Sequence, residues 1–208
     1  MSFELWVTFT LATLVILMIP GPTIILVVSK AMQNGYRSVM PLVAGVVLGD
    51  FVAMTLSLLG LGAIMATSAT LFLVFKWLGA LYLLYLGYKL WKTPIEVNPD
   101  VVSKNNESSF KLFQHSFWVT MLNPKSIAFF VAFLPQFIQP EHPAITQVIV
   151  LGGTFLALSI VSAGLYGLFA GKLATKIKRA GVRRWFNRIG ASSLIGAGVL
   201  TATMQRTA

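Results

Sequence analysis

Continuous apolar character, not alternation, marks six stretches of the chain, at about 4–28, 39–66, 69–91, 112–138, 146–171 and 186–204. Each comes close to the roughly 20 residues a helix needs to cross a hydrocarbon core about 30 Å thick. Inside such a core every backbone polar group must be satisfied within the protein, so apolar runs of this length predict helices. The second and third stretches meet in a tight turn near Thr67-Ser68, whereas one long polar segment runs from Lys92 to Lys111 and contains Pro94, Pro99 and Asn105-Asn106. The pattern predicts an all-α polytopic membrane protein: a single membrane transport domain over 1–208. Repeat one covers about 1–92, the polar linker about 93–111, and repeat two about 112–208.

Two of these spans are interrupted. The first carries Pro20-Gly21-Pro22 and the fourth Asn123-Pro124-Lys125. A proline in a helix lacks the N–H for its own bond and clashes with the preceding turn. The freed groups are tolerated at membrane depth only where protein or a wet cavity satisfies them. A matched pair of interrupted helices is the best sequence pointer to a transporter's substrate site. The third spans of the halves also align: setting Phe75 on Phe186 places Gly79 on Gly190, Ala80 on Ala191, Leu83 on Leu194 and Gly87 on Gly198. Pro20 and Pro124 correspond in order on the first span of each half. Three spans per copy is an odd number, so the second copy is inverted, and the expected fold is six transmembrane helices in two inverted three-helix repeats, a signature of alternating access.

Composition narrows the class. The chain is 56% hydrophobic and 11% charged with a mean hydropathy of +0.79, outside the range of soluble domains. It has no cysteine, which excludes thiol redox chemistry, disulfides and thiolate metal sites, and His115 and His142 lie far apart. No cofactor or metal is expected. The net charge of +10 does not indicate nucleic acid, because seven bases (Lys172, Lys176, Lys178, Arg179, Arg183, Arg184, Arg188) share one loop between hydrophobic spans. Such loops face the cytoplasm and attract anionic lipid headgroups. Lys30 and Arg37, and then Lys89, Lys92, Lys104 and Lys111, mark the other cytoplasmic loops, whereas Gln139–Pro143 offers only Glu141 and His142. Both termini are therefore expected outside, against the weaker signals of Lys76 and Arg206. Trp6, Trp77, Trp91 and Trp185 fall near predicted interfaces, as an aromatic belt requires. Only Met1–Glu4 precede the first apolar run, without a basic region, so that run is expected to persist as a span.

Asp50 is the one acid well inside an apolar span, and Lys125 the one base equally deep. Ionisable groups at such depth are expensive and are functional by default. Three readings stand: an ion pair locking spans two and four, complements to a zwitterion's ammonium and carboxylate, or a proton-coupling carboxyl with Lys125 as its partner. Half-helix N-termini after Pro22 and Pro124 offer free N–H groups to an anionic substrate group, with Thr23 and Asn123 as neutral hydrogen-bonding groups. Gly45, Gly49 and Ala53 step by four, as do Ala163, Gly167 and Gly171. Small residues at that spacing bring helix backbones close, either within one chain or between copies in a homo-oligomer. Tyr82, Tyr85 and Tyr88 form a stripe expected to pack and anchor.

Taken in order, these landmarks resemble the lysine-exporter (LysE/RhtB) family of amino-acid exporters. The matching elements are the PGP at 20–22, GVVLGD at 45–50, FKWLGALYLLYLGYKLWK at 75–92, LNPKSIAFFVAFLPQF at 122–137 and RIGASSLIGAG at 188–198. The resemblance implies a bacterial inner-membrane exporter driven by the proton gradient, with an amino acid, protons and membrane lipids as partners. Its site elements would be Pro20, Gly21, Pro22, Thr23, Asn123, Pro124 and Lys125. A single deep acid favours neutral cargo such as threonine, homoserine or leucine. The alternatives are a basic amino acid, a cation or another small solute. An intramembrane enzyme is disfavoured, since no deep histidine, paired aspartates or GxSxG is present.

Overall fold

The computed structural model describes residues 1–67 and 107–170 continuously, with side chains throughout except at 61–67, and single helical positions between 74 and 92 and between 188 and 199. Among the described residues there is no strand. Helix α1 (Phe3–Met18) is capped by Ser2, whose Oγ accepts from Leu5 N at 3.3 Å, and Glu4 in its first turn complements the helix dipole. It stops where Pro20 and Pro22 supply no N–H. Helix α2 (Pro22–Asn34) then starts with a proline at its first position and Gly21 as its extended cap. It ends at Gly35, whose φ of +77° is glycine's territory. A 3-10 turn (Tyr36–Ser38) leads into α3 (Val39–Thr67), whose 29 residues reach about 44 Å.

The second half begins with α4 (Ser109–Met121), capped by Ser108 Oγ. After Asn123 comes α5 (Pro124–Ala128), then a π-helical turn (Phe129–Phe133) and a 3-10 turn (Leu134–Phe137). Helix α6 (Ala144–Leu168) completes the described part. Tyr36–Gly60 and Ala144–Leu168 are each long and apolar enough to cross a membrane; the bent pairs α1–α2 and α4–Phe137 raise the number of candidate spans to four. The bends are 54° and 43° and fall on the two proline motifs. The first bent pair runs to Asn34, beyond the expected end near residue 28, because Ser29, Lys30 and Gln33 continue the helix to the Asn34-Gly35 stop.

Expected spans three and six lie outside the continuously described residues. Of the aligned pairs, Ala80 and Ala191 are both helical and buried; Leu84 and Ile195, which the same alignment superposes, are both helical and half-buried. Tyr85 and Tyr88 are exposed and helical, whereas Tyr82, Gly171 and the seven-base loop up to Arg184 are outside the described residues.

Two apolar cores stack along the molecule. One is aromatic and holds Phe9, Ile16, Ile19, Ala53, Met54, Phe129, Phe130, Phe133, Phe137, Leu151 and Phe155. Its rings meet edge-on at 5.2 Å (Phe9–Phe137) and 4.8 Å (Phe130–Phe155), contacts that contribute about 0.5–1.5 kcal/mol each. The other is aliphatic, built from Val27, Ala31, Val39, Leu42, Val46, Leu112, Ala163 and Ala170. Each described helical path passes from one core to the other through polar or broken backbone: Pro20–Pro22 between α1 and α2, Asp50 in α3, Thr120–Ser126 around the second break, and Ser159 in α6. The outward faces carry large apolar side chains, among them Met40, Leu48, Leu56 and Leu59 of α3 and Ile145, Ile149, Val161 and Leu165 of α6. In water such faces are interaction surfaces; on a membrane span they meet lipid.

Candidate functional site

The polar layer between the cores is built from the backbone outward. Ending α1 at a proline leaves its last carbonyls without their usual i+4 partners, and within the helix end only Ile16 O is met, by a 3-10 bond from Ile19 N at 3.2 Å. In a continued helix Ile16 O would accept from residue 20 and Met18 O from residue 22, and both of those residues are prolines. Side chains from the second half of the chain take their place. Lys125 Nζ donates to Ile16 O at 3.2 Å and to Ile19 O at 3.0 Å. Tyr166 OH donates to Met18 O at 2.7 Å, and Ser162 Oγ reaches Leu17 O at a long 3.5 Å. All four carbonyls from 16 to 19 thus meet a donor from beyond residue 120. The placement suits the charge, because a helix C-terminus carries roughly half a negative charge and favours a cation.

Gly21 makes room for this. A Cβ there would stand 3.3 Å from Lys125 Nζ and 3.5 Å from its Cε. At the second break Asn123 is the cap: its Oδ1 accepts from Lys125 N at 3.1 Å, which fixes the start of α5 and hence the root of the lysine side chain. Asn123 Nδ2 donates to Thr23 Oγ1 at 3.1 Å, and Thr120 Oγ1 lies 3.3 Å from the same hydroxyl, so the breaks are joined directly. Pro22 and Pro124 hold equivalent local positions, each the first residue of a new helix, whereas Pro20 lies in the link.

Asp50 is 3% exposed and accepts from Ser159 Oγ at 2.7 Å through Oδ2. Asp50 and Lys125 line one small cavity with Leu17, Thr23, Asn123, Ser126, Ser159 and Ser162. They are not in ion-pair contact; the ion pair among the described residues joins Lys30 to Glu107, near the ends of α2 and α4. The cavity measures about 30 Å³, room for one or two waters but not for an amino acid. A cleft of about 390 Å³ adjoins this cavity, sharing Leu17 and Ser162 with it, and one of about 640 Å³ lies elsewhere; neither is lined by Asp50 or Lys125. Ser159, Ser162, Tyr166, Thr120 and Ser126 escape a sequence reading that follows charges and prolines. Ser159, Ser162 and Tyr166 do carry a signal: polar groups at i, i+3 and i+7 share one face of an otherwise apolar helix.

The expected packing residues lie beside the site. At Gly45 a Cβ would fall 2.3 Å from Phe113 O, and at Gly49 it would fall 2.7 Å from Phe117 O, so α3 and α4 touch backbone to backbone. Gly167 packs against Val39, and Ala163 is buried.

Buried Asp50 and half-buried Lys125 thus share a cavity beside two broken helices, and comparison with known sequences supplies the family. The profile of the LysE type translocators matches residues 14–205. The chain belongs to this family. It is a membrane translocator by descent, not an enzyme. It is 30% identical over 203 residues to the homoserine/homoserine lactone efflux protein of Salmonella typhimurium, covering 98% of each chain. An uncharacterized membrane protein of Vibrio cholerae is 30% identical with the same coverage, and one of Pseudomonas aeruginosa is 29% identical over 202 residues, 95% of this chain and 90% of the relative. No solved structure matches this LysE-type translocator.

Proposed function

We propose that this translocator is a proton-coupled secondary exporter of neutral amino acids or their derivatives, of the threonine, homoserine and leucine type, in the bacterial inner membrane. It works by alternating access between two inverted three-helix repeats, with both termini outside. The observation that carries this reading is the small cavity in which Asp50 and Lys125 meet the two broken helices. Buried charge of this kind is costly to keep and is spared where an ion or substrate uses it. Membership of the LysE type translocators and the efflux protein of Salmonella typhimurium support the direction and the cargo class. Homoserine and its lactone, the cargoes in that relative's name, share an α-amine, and only homoserine has a free carboxylate. A site that takes both reads the amine. The small cavity fits a closed conformation that must open to either side to load and release.

Counterflow and gradient-driven efflux from proteoliposomes, across a panel of amino acids, test the proposal. Movement of at least one neutral amino acid, stimulated by a proton gradient, is expected. No flux for any amino acid overturns it. Asp50→Asn is expected to abolish gradient-driven export and to spare exchange; full gradient-driven export by that variant would make Asp50 structural.

A further inference from the structure

We infer that the carbonyls of Ile16 and Ile19 form the subsite for the cargo's primary ammonium, and that Lys125 occupies it as a built-in stand-in when no cargo is bound. This rests on the exporter reading for the word cargo, but the subsite stands on its own geometry. A lysine head presents the same three N–H donors and the same charge as a substrate amine. Two of those donors are engaged, at 3.2 and 3.0 Å, and the third has no acceptor among the described residues. Ile16 O keeps room for an ammonium because Pro20 withholds the next helical N–H and leaves only the 3-10 bond from Ile19 N at 3.2 Å, and Ile19 O lies beyond the last turn of α1. The cavity that Lys125 and Leu17 line is too small for an amino acid while the lysine stays in place. A cargo amine therefore enters by replacing Lys125 Nζ, and the released ammonium turns to Asp50, the acid lining the same cavity. Loading the cargo and pairing Lys125 with Asp50 are then one event. The assignment differs from a simple zwitterion match, in which Asp50 would take the ammonium and Lys125 the carboxylate.

Lys125→Ala vacates the subsite, and ethylammonium restores the missing head without the tether. The test is the thermal unfolding of purified full-length protein in detergent with ethylammonium chloride, against tetramethylammonium chloride, which has the charge but no N–H. Saturable stabilisation of the variant by ethylammonium alone, with no shift in the unaltered protein, is expected. The response should persist in Asp50→Asn/Lys125→Ala. No saturable response, or an equal one to tetramethylammonium, overturns the subsite. Loss of the response in the double variant places the amine on Asp50 and overturns it too. If Lys125→Ala does not yield folded protein, Lys125→Ser purified in ethylammonium is read the same way. Flux without ethylammonium binding would leave the exporter standing and remove the subsite; ethylammonium binding without flux would do the reverse.

Discussion

Gly45 and Gly153 are both helical glycines, yet their surroundings predict opposite outcomes for the same substitution. Alanine at 45 drives a methyl to within 2.1 Å of Ser116 Oγ and 2.3 Å of Phe113 O, and a backbone carbonyl cannot step aside cheaply. Overpacking of this kind destabilises by about 1–3 kcal/mol. Nothing lies within 4 Å of a Cβ at Gly153, so Gly153→Ala should be neutral or stabilising by about 0.5–1 kcal/mol through lost backbone freedom in the unfolded chain. Unfolding midpoints of the two variants in one detergent give the comparison; equal midpoints would mean that α3 and α4 are not in backbone contact. Ser159→Ala removes the hydroxyl that donates to Asp50 Oδ2 at 2.7 Å and leaves a buried acceptor unsatisfied, at a cost of about 1–3 kcal/mol. Its folding loss should shrink in an Asp50→Asn background, a coupling that a double-mutant cycle reads directly. Additive losses would show that the two side chains act independently.

At the scale of elements, the prolines set where helices stop and the second half of the chain sets what becomes of the ends. Pro20→Ala/Pro22→Ala restores two N–H groups at the positions from which Ile16 O and Met18 O would be bonded in a continuous helix. The restored bonds would compete with Lys125 and Tyr166 for those carbonyls, so the 54° bend should relax. Stability is expected to hold or rise while efflux falls by at least roughly tenfold, the kinetic equivalent of about 1.4 kcal/mol. Undiminished efflux from a stable double variant would show that transport does not need the break. Both breaks were legible in the sequence because proline's lost donor is a property of the residue itself. The carbonyl cage was not, since Lys125, Ser162 and Tyr166 lie more than a hundred residues from α1 and only packing aligns them. Nor did sequence show that Pro22, not Pro20, is the local counterpart of Pro124, because cap geometry decides which proline opens the new helix.

For the whole molecule, loop charge predicts orientation. A reporter fused after Ala208 should be active outside the cell, and one inserted at Gly181, in the basic loop, active inside; cytoplasmic activity of the first would refute the six-span arrangement. The sequence by itself determined the membrane class, the extents of α3, of the second bent pair and of α6 to within a few residues, the two interruptions, and Asp50 and Lys125 as the charges that share a cavity. Each is a one-residue or one-segment property: transfer energy, backbone donor count, cost of a buried charge. Tertiary structure alone decided that Asp50 bonds Ser159 instead of pairing directly with Lys125. It also decided that Lys125 closes the end of α1, and that the polar layer lies between an aromatic and an aliphatic core. These outcomes depend on which side chain comes within 3 Å of which acceptor. In a chain of apolar helices with many similar faces, only the packed arrangement fixes that.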